Sequence, residues 1–310
     1  MRKLKIIFAG TPDFAASILK KIIDSNHEVC LVLTQPDRPS GRGMKLKSPP
    51  VKLLAVEHNI PVLQSESLKD EITQRLLSET NSDMMVVAAY GLIIPKQVLD
   101  MPKFGCYNVH ASLLPRWRGA APIQRSILAG DAETGVTIMK VVPALDAGDM
   151  VMKSAIPIGS DDTAQTLHDK LALIGADLML AVINVLAERG NIESIPQDES
   201  KVTYAEKLQK SEALLDWTKS AVELSRQVRA FNPFPVATTV IEGEICRIWM
   251  ASAKDGKGLP GVLHNVDDML LVGCGEGLLL LQEIQMPGGR RLKASEFLAG
   301  RPLKLGQKIG

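Results

Sequence analysis

The stretch Leu4-Lys5-Ile6-Ile7-Phe8-Ala9-Gly10-Thr11-Pro12-Asp13 decides the fold of the first part of the chain. Its short apolar run, ending at Ala9, reads as a strand. Gly10-Thr11-Pro12-Asp13 then turns, and Phe14, Ile18 and Ile22 recur at helical spacing. Residues 28–34 read as a second strand, and 83–89 (DMMVVAA) form a continuous apolar run of the kind found in buried parallel strands. Helical patterns near 51–57 and 68–78 lie between them. This strand–helix alternation predicts an α/β fold, a doubly wound, mostly parallel Rossmann-like sheet with its ligands at the carboxyl ends of the strands.

The same logic carries on through 105–142, as strand, long loop, helix (122–128) and strand (135–142). Thr163 caps a helix with apolar residues at Leu167, Leu171, Ile174, Leu178 and Val185, and Gly190 stops it. Residues 191–209 read as a connector. After Asn232-Pro233-Phe234-Pro235 the pattern changes to five short runs, at 236–242, 245–251, 261–265, 269–274 and 278–284, separated by Gly, Asp and Lys turns. They predict a smaller C-terminal β-barrel of oligonucleotide-binding type. The expected domains are therefore 1–205 and 206–310.

Composition narrows the function classes. The 310 residues are 45% hydrophobic and 23% charged, and 36 Lys+Arg against 35 Asp+Glu give a net charge of +1. Neither a strongly basic nucleic-acid coat nor an acidic disordered tail fits. The four cysteines, Cys30, Cys106, Cys246 and Cys274, form no CxxC, so they read as reduced thiols, neither a zinc ribbon nor a disulfide framework. Met1 to Lys5 starts like a signal peptide, but the apolar stretch is too short. Residues 171–187 contain Asp177 and Asn184 and read as a core helix. The expectation is a cytoplasmic protein without a membrane segment, and a monomer.

Charge is uneven locally. Residues 35–52 carry Arg38, Arg42, Lys45, Lys47 and Lys52 against Asp37 alone, among so many Gly and Pro that a long exposed loop without regular structure is expected. Residues 286–310 carry six Lys/Arg against Glu296. Both patches suit solvated surface, and both suit a phosphate backbone.

The first turn lacks GxGxxG, which argues against a nicotinamide dehydrogenase, and neither a Walker loop nor HExxH occurs. Chemistry concentrates in Asn108-Val109-His110-Ala111-Ser112-Leu113-Leu114-Pro115, where a strand gives way to a loop. Asn108 and His110 alternate onto one strand face. A carboxamide donor beside an imidazole can bind an oxyanion and move a proton. Asp146, in Leu145-Asp146-Ala147-Gly148-Asp149, can orient His110 and support its charged form. Taken singly, a histidine at a strand end is more often a structural hydrogen-bonder, Asn108 suits a loop cap, and Asp-Ala-Gly-Asp is by default a turn.

Together, NxHxSxLP and the later DxGD resemble the formyltransferases that use 10-formyl-tetrahydrofolate. Ala9-Gly10-Thr11-Pro12-Asp13-Phe14-Ala15, Gln35-Pro36-Asp37-Arg38-Pro39, Gly41-Arg42-Gly43 and 114–124 (LPRWRGAAPIQ) resemble the branch of that family acting on initiator methionyl-tRNA, as do Ala205-Glu206-Lys207-Leu208, Glu212-Ala213 and Asp216-Trp217. The resemblance covers essentially the whole chain. It implies Asn108, His110 and Asp146 as the catalytic trio, and Ser112, Leu113, Leu114 and Pro115 as the stretch contacting formyl-folate. It further implies Tyr90-Gly91-Leu92 as a wall of the pterin site, Phe14 as a neighbour of the methionyl group, and Arg42 as the residue that engages the tRNA acceptor end. Formyl-folate is then a co-substrate, with no metal and no permanently bound cofactor. The rival readings are formyl transfer to another small amine or to water, and, in a different class, a non-catalytic RNA-binding protein.

Overall fold

The computed structural model describes residues 2–40, 43–265 and 269–310. In chain order its elements are β1 Lys5–Gly10, α1 Asp13–Ile23, β2 Glu28–Thr34, β3 Arg38–Ser40, β4 Lys45–Lys47, α2 Pro50–Glu57, β5 Val62–Gln64, α3 Glu71–Glu79, β6 Met84–Ala88, α4 Lys96–Leu99, β7 Cys106–His110, β8 Arg118–Gly119, α5 Pro122–Ala129, β9 Glu133–Lys140, β10 Met150–Pro157 and α6 Ala164–Arg189. There follow β11 Tyr204–Ala205, α7 Ala221–Ala230, β12 Ala237–Ile241, β13 Glu244–Lys254, β14 Leu263–Asn265, β15 Leu270–Gly273, β16 Leu278–Gln285, β17 Leu292–Lys293 and α8 Ala294–Gly300. They gather into two compact units.

The first unit comprises Met1–Gly119, Thr134–Ile156 and His168–Tyr204. Its seven-stranded sheet has the order β10-β9-β7-β6-β1-β2-β5. β1 pairs in parallel with β2 and β6, β2 with β5, and β6 with β7, whereas β9 runs antiparallel to β7. β6 is buried at every position and β1 at five of six, as strands covered on both faces require. The chain runs from β1 outward to β2 and β5, then returns to β6 on the other side of β1. That reversal opens a crevice at the carboxyl ends of the strands. A cleft of about 610 Å³ lies there, lined among others by Thr11, Gln35, Arg38, Lys47 and Tyr90.

α6 is long and apolar enough to cross a membrane by length and composition, yet Leu171, Met179, Val182 and Ile183 are fully buried in the protein. It is a core helix. Gly175 lets it approach the sheet closely, because a Cβ there would lie 2.7 Å from Val109 Cγ1. Gly190 ends it at φ 72°.

Residues 35–52 differ from the expected structureless loop. β3 and β4 form an antiparallel ribbon in the register Arg38↔Lys47, Pro39↔Leu46 and Ser40↔Lys45. A proline is tolerated in such a two-stranded edge. α2 then starts at Pro50, a residue suited to the first turn of a helix. Lys52 therefore belongs to a helix, and its Nζ lies 2.8 Å from Asp37 Oδ2, both side chains being about a quarter exposed. The ribbon roots on β2, three strands away from β7 and so roughly 14 Å across the sheet.

The second unit comprises Ala120–Glu133, Pro157–Leu167 and Ala205–Gly310. Its antiparallel sheet has the order β12-β13-β16-β15-β14, with β17 added on β16. The five expected strands are present, and the curled sheet closes over a core containing Trp217, Leu224, Val228, Ile248 and Leu281. α7 packs on β13, and Ser220 and Glu223 form a capping box at its start. α5 packs on α7 and is tied down by a bidentate pair from Arg125 to Glu212 at 2.7 and 3.1 Å. Thr163 caps the start of α6 as expected, accepting from Thr166 N. All four cysteines are free thiols. Burial pushes Cys106 up to about 12, and Cys246 and Cys274 to about 11, values that keep them unreactive.

Candidate active site

β7 presents Cys106, Asn108 and His110 to one side of the sheet and Tyr107 and Val109 to the other. Its register sets Asn108 between Val87 and Met139 and His110 opposite Thr137. His110 is almost fully buried. Its Nε2 lies 2.8 Å from the carbonyl oxygen of Trp117. A carbonyl can only accept, so Nε2 carries the hydrogen and the Nδ1 edge remains for chemistry. Nδ1 lies 3.6 Å from Asp146 Oδ2, an electrostatic contact longer than a hydrogen bond. The ring is thus oriented by a backbone carbonyl, a partner with no side-chain signature in the sequence.

Asp146 has its own restraints. It sits in the left-handed region at φ 47°, as Trp117 does at φ 66°. Non-glycine residues take this conformation where surrounding structure enforces it. Oδ2 of Asp146 accepts from Gly119 N at 2.8 Å. Gln197 Nε2 donates to the carbonyl oxygens of both Asp146 and Gly148 at 2.8 Å. Gly148 is needed there, since a Cβ would lie 1.8 Å from Lys140 O at the end of β9.

The loop after β7 is held from inside. Thr137 Oγ1 on β9 donates to Ser112 O at 2.7 Å and accepts from Leu114 N at 3.1 Å. Ser112 is fully buried and spends its hydroxyl on Arg116 O at 2.7 Å. Leu114 is buried, and Leu113 and Pro115 are half-buried. Any ligand therefore meets this stretch through the latter two side chains and through backbone.

One candidate falls elsewhere. Phe14 stands in the first turn of α1, 6% exposed, with its ring edge-on to His168 at 5.6 Å between centroids. A Cβ on Gly175 would lie 3.9 Å from Phe14 Cζ and 2.7 Å from Val109 Cγ1. Phe14 thus packs on the Val109 side of the sheet, opposite to Asn108 and His110. Arg42 lies outside the described residues. The residues missed from sequence are Thr137, Gln197 and Arg118, with contacts that cross from 23 to 81 positions of chain through their side chains. No spacing rule links them to the motif.

A protein-family model described as formyl transferase matches residues 2–183, and one described as formyl transferase, C-terminal domain, matches residues 207–302. The chain belongs to the formyltransferase family. This formyltransferase is 64% identical over 307 residues to the methionyl-tRNA formyltransferase of Methylobacillus flagellatus, covering 99% of this chain and 100% of that one. It is 51% identical over 307 residues to the enzyme of the same name from Dechloromonas aromatica, covering 99% of each chain. Among solved structures, WlaRD, a sugar 3N-formyl transferase, superposes with a TM-score of 0.67 at 18% identity, covering 94% of this chain and all of that one. HypX from Aquifex aeolicus, solved with tetrahydrofolic acid, gives 0.65 at 16% identity, covering 98% of this chain and 49% of that one. At these identities the structures establish the shared fold.

Proposed function

We propose that this formyltransferase moves the formyl group of 10-formyl-tetrahydrofolate to the amino group of methionine on initiator methionyl-tRNA, in the cytoplasm, for translation initiation. The observation that supports the chemistry is that Asn108 and His110 share one face at the carboxyl end of β7, with His110 Nδ1 3.6 Å from Asp146 Oδ2. The 64% identity over the full chain to an enzyme of that name supports the acceptor.

In this reading the methionyl amine attacks the formyl carbon, and a tetrahedral oxyanion forms. The Asn108 carboxamide donates to that oxygen, and His110 shares its stabilisation and handles the proton through its Nδ1 edge. Asp146, 3.6 Å away, stabilises positive charge developing on the ring. The bond from the formyl carbon to the folate nitrogen then breaks, and that nitrogen is reprotonated. Formyl-folate lies along residues 112–115. The acceptor stem approaches over the β3–β4 ribbon, where Arg38 and Lys47 edge the cleft, and Arg42, outside the described residues, engages the acceptor end. The second unit binds tRNA backbone through its exposed cations.

The test supplies 10-formyl-tetrahydrofolate with charged initiator tRNA, a glycine-type ribonucleotide, an amino-sugar nucleotide or water alone. Formyl-methionyl-tRNA should form at least a hundredfold faster than any other product. Equal or faster formylation of a small amine would overturn the acceptor assignment and leave the formyl-transfer chemistry standing.

A further inference from the structure

We propose that Gln197 is a positioning residue for the Asp146–His110 pair, and that the connector following α6 is part of the framework of the active site. The inference rests on the reading that this pair handles the proton.

The side chain of Gln197 is buried, with both amide hydrogens and the amide oxygen engaged in hydrogen bonds. Both amide hydrogens go to the carbonyl oxygens of Asp146 and Gly148, each at 2.8 Å, and Oε1 accepts from Arg118 Nε at 3.0 Å. A carboxamide at the end of two methylenes meets that demand. Glutamate would set an oxygen against two carbonyls, methionine makes none of these bonds, and asparagine is one methylene short. Arg118, itself 3% exposed, is held by Glu199 at 2.7 and 3.4 Å.

Neighbouring residues of the connector fasten the same two loops. Ser194 Oγ donates to Asp149 Oδ2 at 3.0 Å and accepts from Lys140 Nζ at 2.8 Å. Thr203 accepts from Trp117 N through its hydroxyl and from Arg118 N through its carbonyl, both at 2.9 Å. One loop carries Asp146. The other carries the Trp117 carbonyl that orients His110 and the Gly119 amide that holds the Asp146 carboxylate. A left-handed aspartate relaxes unless restrained, and Gln197 restrains its carbonyl directly. Losing that restraint moves the carboxylate relative to the ring, and small misplacements of reacting groups are costly.

The test uses the full chain with Gln197→Met and Gln197→Glu, alongside Asp146→Asn. Initial rates are measured at 25 °C between pH 5.5 and 8.5 with both substrates varied, and folding is followed by thermal melting. Gln197→Met should lower kcat about 10–100-fold with each KM within about twofold of the unaltered protein. Gln197→Glu should lose as much at pH 8, and its rate relative to the unaltered protein should recover as pH falls, because only the protonated acid can donate to a carbonyl. The proposal is overturned by kcat within twofold for both variants, by a pH-independent deficit in Gln197→Glu, or by both chains being unfolded at 25 °C. Crippled Asp146→Asn beside unimpaired Gln197 variants would remove only this inference. Full turnover by Asp146→Asn would remove the proton-handling reading with it.

Discussion

Asn108 and His110 stand two residues apart on β7, about 7 Å along the strand, a separation that lets one tetrahedral centre lie between a fixed donor and a proton-handling ring. Asn108→Ala should lower kcat by about 10²–10³, the loss that follows removal of one oxyanion donor, with little change in formyl-folate binding. His110→Ala should cost at least as much while the fold stands, and a folded variant with near-normal turnover in a discontinuous formylation assay would remove the histidine from the mechanism. These residues were legible in the sequence because the chemistry needs particular side chains at a strand end, and alternation puts both on one face. What orients His110 was not legible. It is the main-chain oxygen of Trp117, and any residue with the same backbone conformation supplies one. Phe14 carries two readings at once: the resemblance points to the substrate, and helical spacing places it on the buried face of α1, where its ring packs.

At the scale of elements, the strands of the first sheet announce themselves by unbroken apolar runs, and the reversal after β5 fixes where the crevice opens. β5, with three half-buried residues, and β10, with partial alternation, carry too weak a pattern to stand out. The β3–β4 ribbon was hidden by its Gly and Pro content. Its root is a clamp. The Asp37 carboxylate accepts from Lys52 Nζ and Gln64 Nε2 at 2.8 Å and from Ser48 Oγ at 3.1 Å. These bonds, that from Lys52 foremost, hold Asp37 below its usual range. A depressed carboxylate contributes stability above its unfolded value of about 3.9 and loses it as pH falls through the lower folded value. The clamp is therefore fully set at every pH from about 5 upward. Lys52→Ala should release it at pH 7, speed backbone hydrogen exchange in the ribbon and raise KM for tRNA severalfold. KM for formyl-folate should not move; equal changes in both would show that the ribbon is not a separate acceptor element. Gly148→Ala, with no room beside Lys140 O, should displace the Asp146 loop and lower both kcat and the melting temperature.

At the scale of the whole molecule, the second unit can be tested for tRNA binding, but cutting the chain after Glu206 is a poor way to do it. That cut removes α7, on which α5 packs, and Glu212, the bidentate partner of Arg125. It also strips α5 of an apolar covering, so the shortened chain should aggregate or melt without a cooperative transition. Point substitutions in the full chain avoid this. Of the six cations in residues 286–310, Arg291 pairs with Glu283, and Arg301 pairs with Glu242 and Glu244, whose hydrogen bonds hold its proton still more firmly. Those two cations are already paired with carboxylates of the sheet and its β12–β13 turn. Arg290, Lys304 and Lys308 are exposed. Each cation that neutralises a phosphate releases counterions, so log affinity falls with log salt by about 0.7–0.9 per contact. Lys304→Gln with Lys308→Gln should make the salt dependence of tRNA binding shallower by about 1.4–1.8 and leave the melting temperature within a degree or two. Arg301→Gln should do the reverse, lowering the melting temperature with little change in slope. If the lysine pair leaves the slope unaltered, the carboxyl-terminal stretch is solvated surface, and the phosphate contacts of this unit must be sought on another face.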